Sequence, residues 1–307
     1  MLNRKAPAKL IKFPEIKAVS EKIKRPFWSV MIPTHDRPKY LAETLISVIS
    51  QDPGPDEMHI EVVDNCSKTD EAEKIVKNVG NNRISYYRLD QAASMNDNWN
   101  NCIQRARGHW VHILHDDDLV RPCFYERFRK ALLKNQNVGA AFCRNLWIDD
   151  EGHWQSISDL ERKTPGILEN WLERIVEFQR IQPPSIVVKR STYEELGGFA
   201  LEIVWGLDWE MWKRIAARYA FWYEPEPLAC YRLHQSALSV SVTENQKHIS
   251  DLILSIEMGR AYLPAPLFKK LSRKARKNYS LFAIDKARFM LKRRDLANVI
   301  LQARAAL

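Results

Sequence analysis

At 307 residues, with 45% apolar and 28% charged side chains, the chain has the composition of a globular protein with a substantial core, which excludes a disordered or collagen-like one. Five scattered cysteines without a CxxC pair exclude a disulfide framework or zinc ribbon and imply a reduced, cytosolic compartment, and no run of about 18 apolar residues predicts a transmembrane helix. The net charge of +9 divides into eight basic against two acidic residues over 1–25, thirteen against two over 260–307, and a net-acidic body between, which does not suit a duplex nucleic-acid reader.

The first 25 residues are basic and lack the apolar stretch and cleavage site of a secretory signal, so ordered structure is expected to begin at Phe27. Phe27–Ile32 reads as a strand stopped by Pro33, followed by a helix over Pro38–Gln51 with Leu41, Leu45, Val48 and Ile49 at helical spacing. Asp52-Pro53-Gly54-Pro55 breaks it. Ile60–Asp64 predicts a second strand, Glu71–Val79 a polar helix, Ile84–Tyr87 a third strand, Asn100–Arg107 a helix, and Trp110–Leu114 a fourth strand. Beyond residue 125 the spacing predicts helices over Tyr125–Lys134, Leu168–Gln179 and Asp208–Tyr219, with strands near Ala140–Cys143 and Ile186–Val188. From Ile249 onward the chain reads as helix interrupted by Pro264 and Pro266.

Strands alternating with helices predict an α/β fold, a mixed and mostly parallel sheet flanked by helices, with a helical C-terminal extension. In such sheets ligands sit beyond the carboxyl ends of the strands. Here those ends carry Thr34-His35-Asp36-Arg37, Asp64-Asn65 and Asp116-Asp117-Asp118. Three adjacent carboxylates repel one another unless a cation sits among them, and hard oxygen ligands favour Mg²⁺ or Mn²⁺. His109, His112 and His115 recur on a predicted strand in a way that cannot place them on one face, so they form no zinc set.

The blocks Ile32-Pro33-Thr34-His35-Asp36-Arg37-Pro38, Val62-Val63-Asp64-Asn65-Cys66-Ser67, Ala106-Arg107-Gly108 through Leu114-His115-Asp116-Asp117-Asp118, Gly197-Gly198-Phe199, Gly206-Leu207-Asp208-Trp209-Glu210-Met211-Trp212 and Tyr231-Arg232-Leu233-His234 together resemble the family 2 glycosyltransferases. The resemblance spans roughly 27–240 in the family's order. It implies the GT-A (Rossmann-like) fold and inverting transfer of a sugar from a nucleotide-sugar donor, a UDP-sugar favoured, to a hydroxyl of a glycan or lipid-linked acceptor. It implies a donor-binding half (26–125) and an acceptor-binding half (126–245), which the charge and helical pattern flank with a basic segment (1–25) and a basic helical extension (246–307).

By the same resemblance Pro33, Thr34, Asp36 and Arg37 meet the nucleoside, Asp64 accepts from the uracil ring, and Asn100 stands near the donor. Asp116 and Asp118 fill the ends of the DXD motif, with Asp117 between them; Asp118 binds Mn²⁺ or Mg²⁺ and Asp208 is the general base. Three departures from the family are Leu207 where an acid often precedes the base, Trp99-Asn100 where many members carry Arg-Asn, and Asp36 where Asn is commoner. His234 either completes the metal shell or is satisfied by neighbours, and Arg232 is a candidate to neutralise diphosphate charge. Trp209 and Trp212 read as core, Trp205 as a platform for an acceptor sugar, and Gly197-Gly198 as the tight turn of the acceptor loop. The basic C-terminal helices suit either peripheral contact with an anionic membrane on its inner face or packing on the catalytic domain. The competing functional readings are a nucleotidyltransferase, disfavoured because the first loop has no glycine, and a nucleotide-sugar-binding protein without catalysis.

Overall fold

The first strand, β1 (Trp28–Thr34), is buried along its whole length because it runs through the middle of a sheet covered on both faces, with Val30 and Ile32 entering one core and Met31 the other. The computed structural model describes residues 13–234 and 247–292. From β1 the chain crosses over α1 (Pro38–Ile49) to β2 (Met58–Asp64), over α2 (Glu71–Gly80) to β3 (Ser85–Arg88), and over α3 (Met95–Arg105) to β4 (Trp110–Ile113). These four strands are mutually parallel in the order β3-β2-β1-β4, so their carboxyl ends open on one edge. Pro33 lies in β1 beyond its last pairing with β4, Met31 with Ile113, so its missing N–H breaks no ladder on that side.

The helix expected from Asn100 starts earlier, at Met95, because the Ser94 hydroxyl accepts from Asp97 N (3.1 Å) and caps it. After β5 (Leu119–Val120) and α4 (Phe124–Lys134), the second half adds β6 (Val138–Ile148), β7 (Trp154–Ile157), β8 (Gly166–Ile167), α5 (Trp171–Glu177), β9 (Ile186–Lys189), α6 (Arg190–Leu196), α7 (Leu207–Ala216) and β10 (Ala220–Arg232). The sheet continues β4-β9-β6-β10-β5, with β9 antiparallel to both neighbours and β10 parallel to β6. The thirteen-residue β10 escapes a propensity reading because Pro225 and Pro227 interrupt it, and the ladder shifts register around Pro227 to accommodate them.

Ordered structure begins well before Phe27, contrary to the sequence expectation. Gly198 N donates to Pro14 O (2.7 Å), Arg190 to Lys17 O (3.0 Å), and Phe13 lies 3.5 Å beneath the Arg214 guanidinium, with Ile16 only 3% exposed. Two isolated apolar residues in a basic run carry no periodicity, so the segment's docking was invisible without its partners. Pro266 does not interrupt the last helix either. It is the second residue of α9 (Ala265–Lys292), where a missing N–H costs nothing.

This helix and α8 (Lys247–Met258) pack on α5 and α7: Tyr279 stacks on Phe178 (4.9 Å) and meets Trp209 (5.0 Å). Lys270, Lys274 and Arg276 pair with Glu173, Glu177 and Glu257, while Lys269, Arg273, Lys277, Leu281, Ile284 and Arg288 stay exposed along an outward stripe. Among the described residues no helix is long and apolar enough to cross a membrane.

The Gly197-Gly198 turn is tight for a steric reason. Gly197 holds φ +82°, and a Cβ on Gly198 would stand 2.3 Å from Asn100 Oδ1. Gly198→Ala is expected to cost about 1–3 kcal/mol in urea unfolding. An unchanged midpoint would mean that Asn100 swings aside freely.

Candidate active site

The carboxyl end of β4 turns sharply, with Asp118 N donating to His115 O (3.2 Å), and this turn gathers three carboxylates. Asp116 and Asp118 are each 1% exposed and Asp117 8%. Thr34, from the end of β1, donates to Asp116 Oδ2 (2.6 Å), and Arg37 reaches Asp116 Oδ1 (2.9 Å) and Asp117 Oδ2 (3.0 Å). His234 Nε2 lies 3.0 Å from the same Asp117 oxygen. Asp118 Oδ1 accepts from Arg232 N (2.9 Å), while Oδ2 is buried without a hydrogen-bond partner among the described residues.

Burial pushes Asp116 up to about 7, and burial together with the neighbouring aspartates holds Asp118 well above the usual carboxylate range. Burial would raise Asp117 too, but the His234 hydrogen bond and the Arg37 charge bring it below. Ionised together, the three carboxylates of the cluster would carry more negative charge than Arg37 balances, and among the described residues one of their oxygens has no partner. A divalent cation fits it on both counts. His115, Asp117 and Asp118 each present a donor atom, all within 4.8 Å of one another.

Several candidates therefore meet directly: Thr34, Arg37, Asp116, Asp117, Asp118, Arg232 and His234. Arg232, however, is not available to a diphosphate. Its guanidinium is buried, donating to Asp117 O (3.0 Å) and Asp150 O (3.1 Å), pairing with Glu43 (2.7 Å), and lying over the Tyr40 ring. It braces the aspartate turn, and Arg37, a third exposed, is the guanidinium that faces outward. His234 engages Asp117 rather than Asp118 and packs on Tyr40 (5.1 Å).

Asp64 is engaged by its own surroundings. Its oxygens take Ser67 N (2.9 Å), Ser67 Oγ (2.6 Å) and Tyr86 Oη (2.5 Å), so it holds its own loop. Asp36, at φ +50°, accepts from Lys68 N (2.7 Å) and donates its N–H to Ser67 Oγ (2.9 Å), which ties the loops after β1 and β2 together. Asn100 does not face the aspartates either. It clamps Phe199 by donating to its O (2.9 Å) and accepting from its N (2.7 Å).

Asp208 is the second residue of α7, whose N-cap is Gly206 at φ +70°. Gln179 donates to its Oδ2 (2.6 Å) and Trp209 N to its Oδ1 (2.8 Å), and burial raises it to about 6. Trp205 is half-buried against His248 of α8, and its backbone N–H donates to Asp251 Oδ2 (3.0 Å). Trp209 and Trp212 are core, as expected. The path from the aspartates to this helix is aromatic: His115 on Trp99 (4.6 Å), Trp99 on Phe199 (5.1 Å), Phe199 on Trp212 (6.2 Å). Sequence alone does not point to His115 or Gln179 as site residues. Gln179 lies 29 residues from Asp208 and carries no local signal, whereas the adjacency of His115 to the three aspartates is the signal that could have found it.

Residues 29–197 match the model of glycosyl transferase family 2. An uncharacterised glycosyltransferase of Methanocaldococcus jannaschii is 25% identical over 229 residues, 73% of this chain and 76% of the relative. The structure is similar to Staphylococcus aureus TarS 1-349 in complex with UDP-GlcNAc (TM-score 0.65, 15% identical, covering 91% of this chain and 90% of that one). It is also similar to the mannosyltransferase PcManGT from Pyrobaculum calidifontis in complex with GDP-Man and Mn²⁺ (TM-score 0.58, 18% identical, covering 92% and 86%).

Proposed function

The chain belongs to glycosyl transferase family 2 and has the GT-A fold, and from that premise we propose that it is a metal-dependent, inverting glycosyltransferase using a nucleotide-sugar donor, a UDP-sugar favoured. The observation that carries the reading is the buried Asp116-Asp117-Asp118 turn at the mouth of a parallel sheet, with Asp118 Oδ2 orphaned beside it. Asp118 and Asp117 would hold Mn²⁺ or Mg²⁺, which when bound supplies positive charge to the departing diphosphate. That TarS is seen with UDP-GlcNAc and PcManGT with GDP-Man and Mn²⁺ supports a nucleotide-sugar in this crevice.

The chain's own groups supply the rest. Asp208 takes the proton from the acceptor hydroxyl as its oxygen attacks the anomeric carbon and the bond to the diphosphate oxygen breaks, inverting the configuration. Gln179 and Trp209 N orient that carboxylate, and its burial raises its basicity. Arg37, on the aspartates in the free protein, is the side chain placed to exchange a carboxylate for a phosphate. The Asp36–Ser67–Asp64 chain shapes the nucleoside end. The acceptor is a hydroxyl of a glycan or lipid-linked sugar, admitted beside Trp205 and the Gly198 loop.

Calorimetric titration with UDP, GDP and dTDP, with and without Mn²⁺, tests the donor half. Metal-dependent binding of one nucleotide is expected, and binding of none under any metal would end the reading.

The outward stripe of α9 bears cations beside exposed Leu281 and Ile284, and we place it on an anionic bilayer near such an acceptor. Lys269→Glu, Arg273→Glu and Lys277→Glu together are expected to abolish flotation with phosphatidylglycerol vesicles. Equal flotation of wild type and variant, or none by either, would discard the membrane contact.

A further inference from the structure

We propose that His115 is the nitrogen donor of a mixed nitrogen–oxygen cation site with Asp117 and Asp118, and that this ligand biases the enzyme toward Mn²⁺ over Mg²⁺. The proposal rests on the metal-dependent reading above and goes beyond it by assigning a ligand and a metal preference.

The turn that ends β4 brings His115 back over Asp118, and His115 Nδ1 stands 3.6 Å from Asp118 Oδ2. That separation is too long for a good hydrogen bond and close to the ~3.0–3.4 Å spanned by two donors about 2.1 Å from a common ion. Asp118 is only 1% exposed, and its Oδ2 is buried with no hydrogen-bond partner among the described residues. A buried carboxylate oxygen left unpaired beside two further carboxylates calls for a positive ligand.

The neighbouring groups are already committed. Asp116 has one oxygen on Thr34 and the other on Arg37, which leaves it as the anchor of the first loop. His234 sits on Asp117 Oδ2, the oxygen that also takes Arg37. Asp117, Asp118 and His115 are the residues whose donor atoms converge.

The imidazole is also held in place. Its ring lies against Trp99 at 4.6 Å, in a tilted stack of 36°, and its side chain is 17% exposed. Mg²⁺ demands oxygen ligands and keeps its water, whereas imidazole suits transition ions. A nitrogen in the shell therefore penalises Mg²⁺ relative to Mn²⁺. Because the same ring touches Trp99, and Trp99 touches Phe199 of the acceptor loop, a cation that draws His115 inward would also set that aromatic path.

The test uses the full chain with Mn²⁺ and UDP, and reads the metal rather than turnover. Pulsed electron paramagnetic resonance of bound Mn²⁺ should show coupling to a directly bound ¹⁴N in wild type and in His234→Gln. The coupling should vanish in both His115→Leu and His115→Asn, each checked for a cooperative thermal transition. In those two variants Mn²⁺ affinity should fall at least about tenfold while Mg²⁺ affinity changes by less than about threefold. Bound Mn²⁺ without ¹⁴N coupling in wild type overturns the His115 assignment and leaves the metal-dependent reading standing. So does coupling that survives both His115 substitutions or is lost in His234→Gln. Wild type that binds no Mn²⁺ with or without UDP overturns both.

Discussion

Asp118→Asn is expected to yield a protein at least as stable as wild type in the absence of metal, yet one that has lost Mn²⁺-dependent nucleotide binding and at least about 10³-fold in turnover, equivalent to about 4 kcal/mol. The two effects have a common origin. Asp118 is buried among Asp116 and Asp117, which hold its carboxyl well above the ordinary range, so its ionised form costs the folded state free energy. An amide of the same shape keeps the acceptor that Arg232 N needs and removes the charge. Thermal unfolding in chelator reads the stability half, and calorimetry with UDP and Mn²⁺ reads the binding half. A variant that unfolds early would mean the carboxylate supports the turn through hydrogen bonds more than it strains it through charge. A variant that keeps its metal-dependent binding would remove Asp118 from the site.

Asp208→Asn is expected to lose about 10²–10⁴-fold in turnover with donor and Mn²⁺ affinity unchanged. The pH profile separates this from a structural effect. Burial raises Asp208 to about 6, so the active, ionised form accumulates as pH rises through about 6. Wild-type turnover should climb across that window and flatten above it, and the residual activity of the variant should lack the climb.

Stability runs the other way. A carboxyl whose folded value exceeds its ordinary 3.8 binds its proton more tightly when folded. Its contribution to stability therefore falls as pH rises from about 4 to about 6, and that slope should be shallower in the variant. Unchanged turnover in Asp208→Asn would take the proton acceptor away from α7 altogether.

Sequence by itself determined the sheet that carries the chemistry and the strand ends that bear it. Trp28–Thr34, the Ile60–Asp64 part of β2 and Trp110–Ile113 announce themselves because strands buried on both faces read as mostly apolar runs, each followed by a polar loop. The triple aspartate stood out for the same local reason, and ordered motifs from Pro33 to His234 identified the family. Tertiary structure alone decided which of those polar groups face one another.

Arg232 and Arg37 are equally plausible phosphate partners as letters. Only the folded chain shows Arg232 spent on Glu43 and on carbonyls of the aspartate turn and of the loop between β6 and β7, and Arg37 on the outward side. The resemblance places Asp64 and Asn100 near the donor; in the fold Asp64 holds its own loop through Ser67 and Asn100 clamps Phe199 from a distant part of the chain, because a buried polar atom takes a partner within reach. The docking of Phe13 and Ile16 depends on a guanidinium and a glycine turn some 200 residues away, which no periodicity records. His115 likewise becomes a donor only because one turn folds it over Asp118: local patterns reveal burial and spacing, while convergence of side chains at a point is a property of three dimensions.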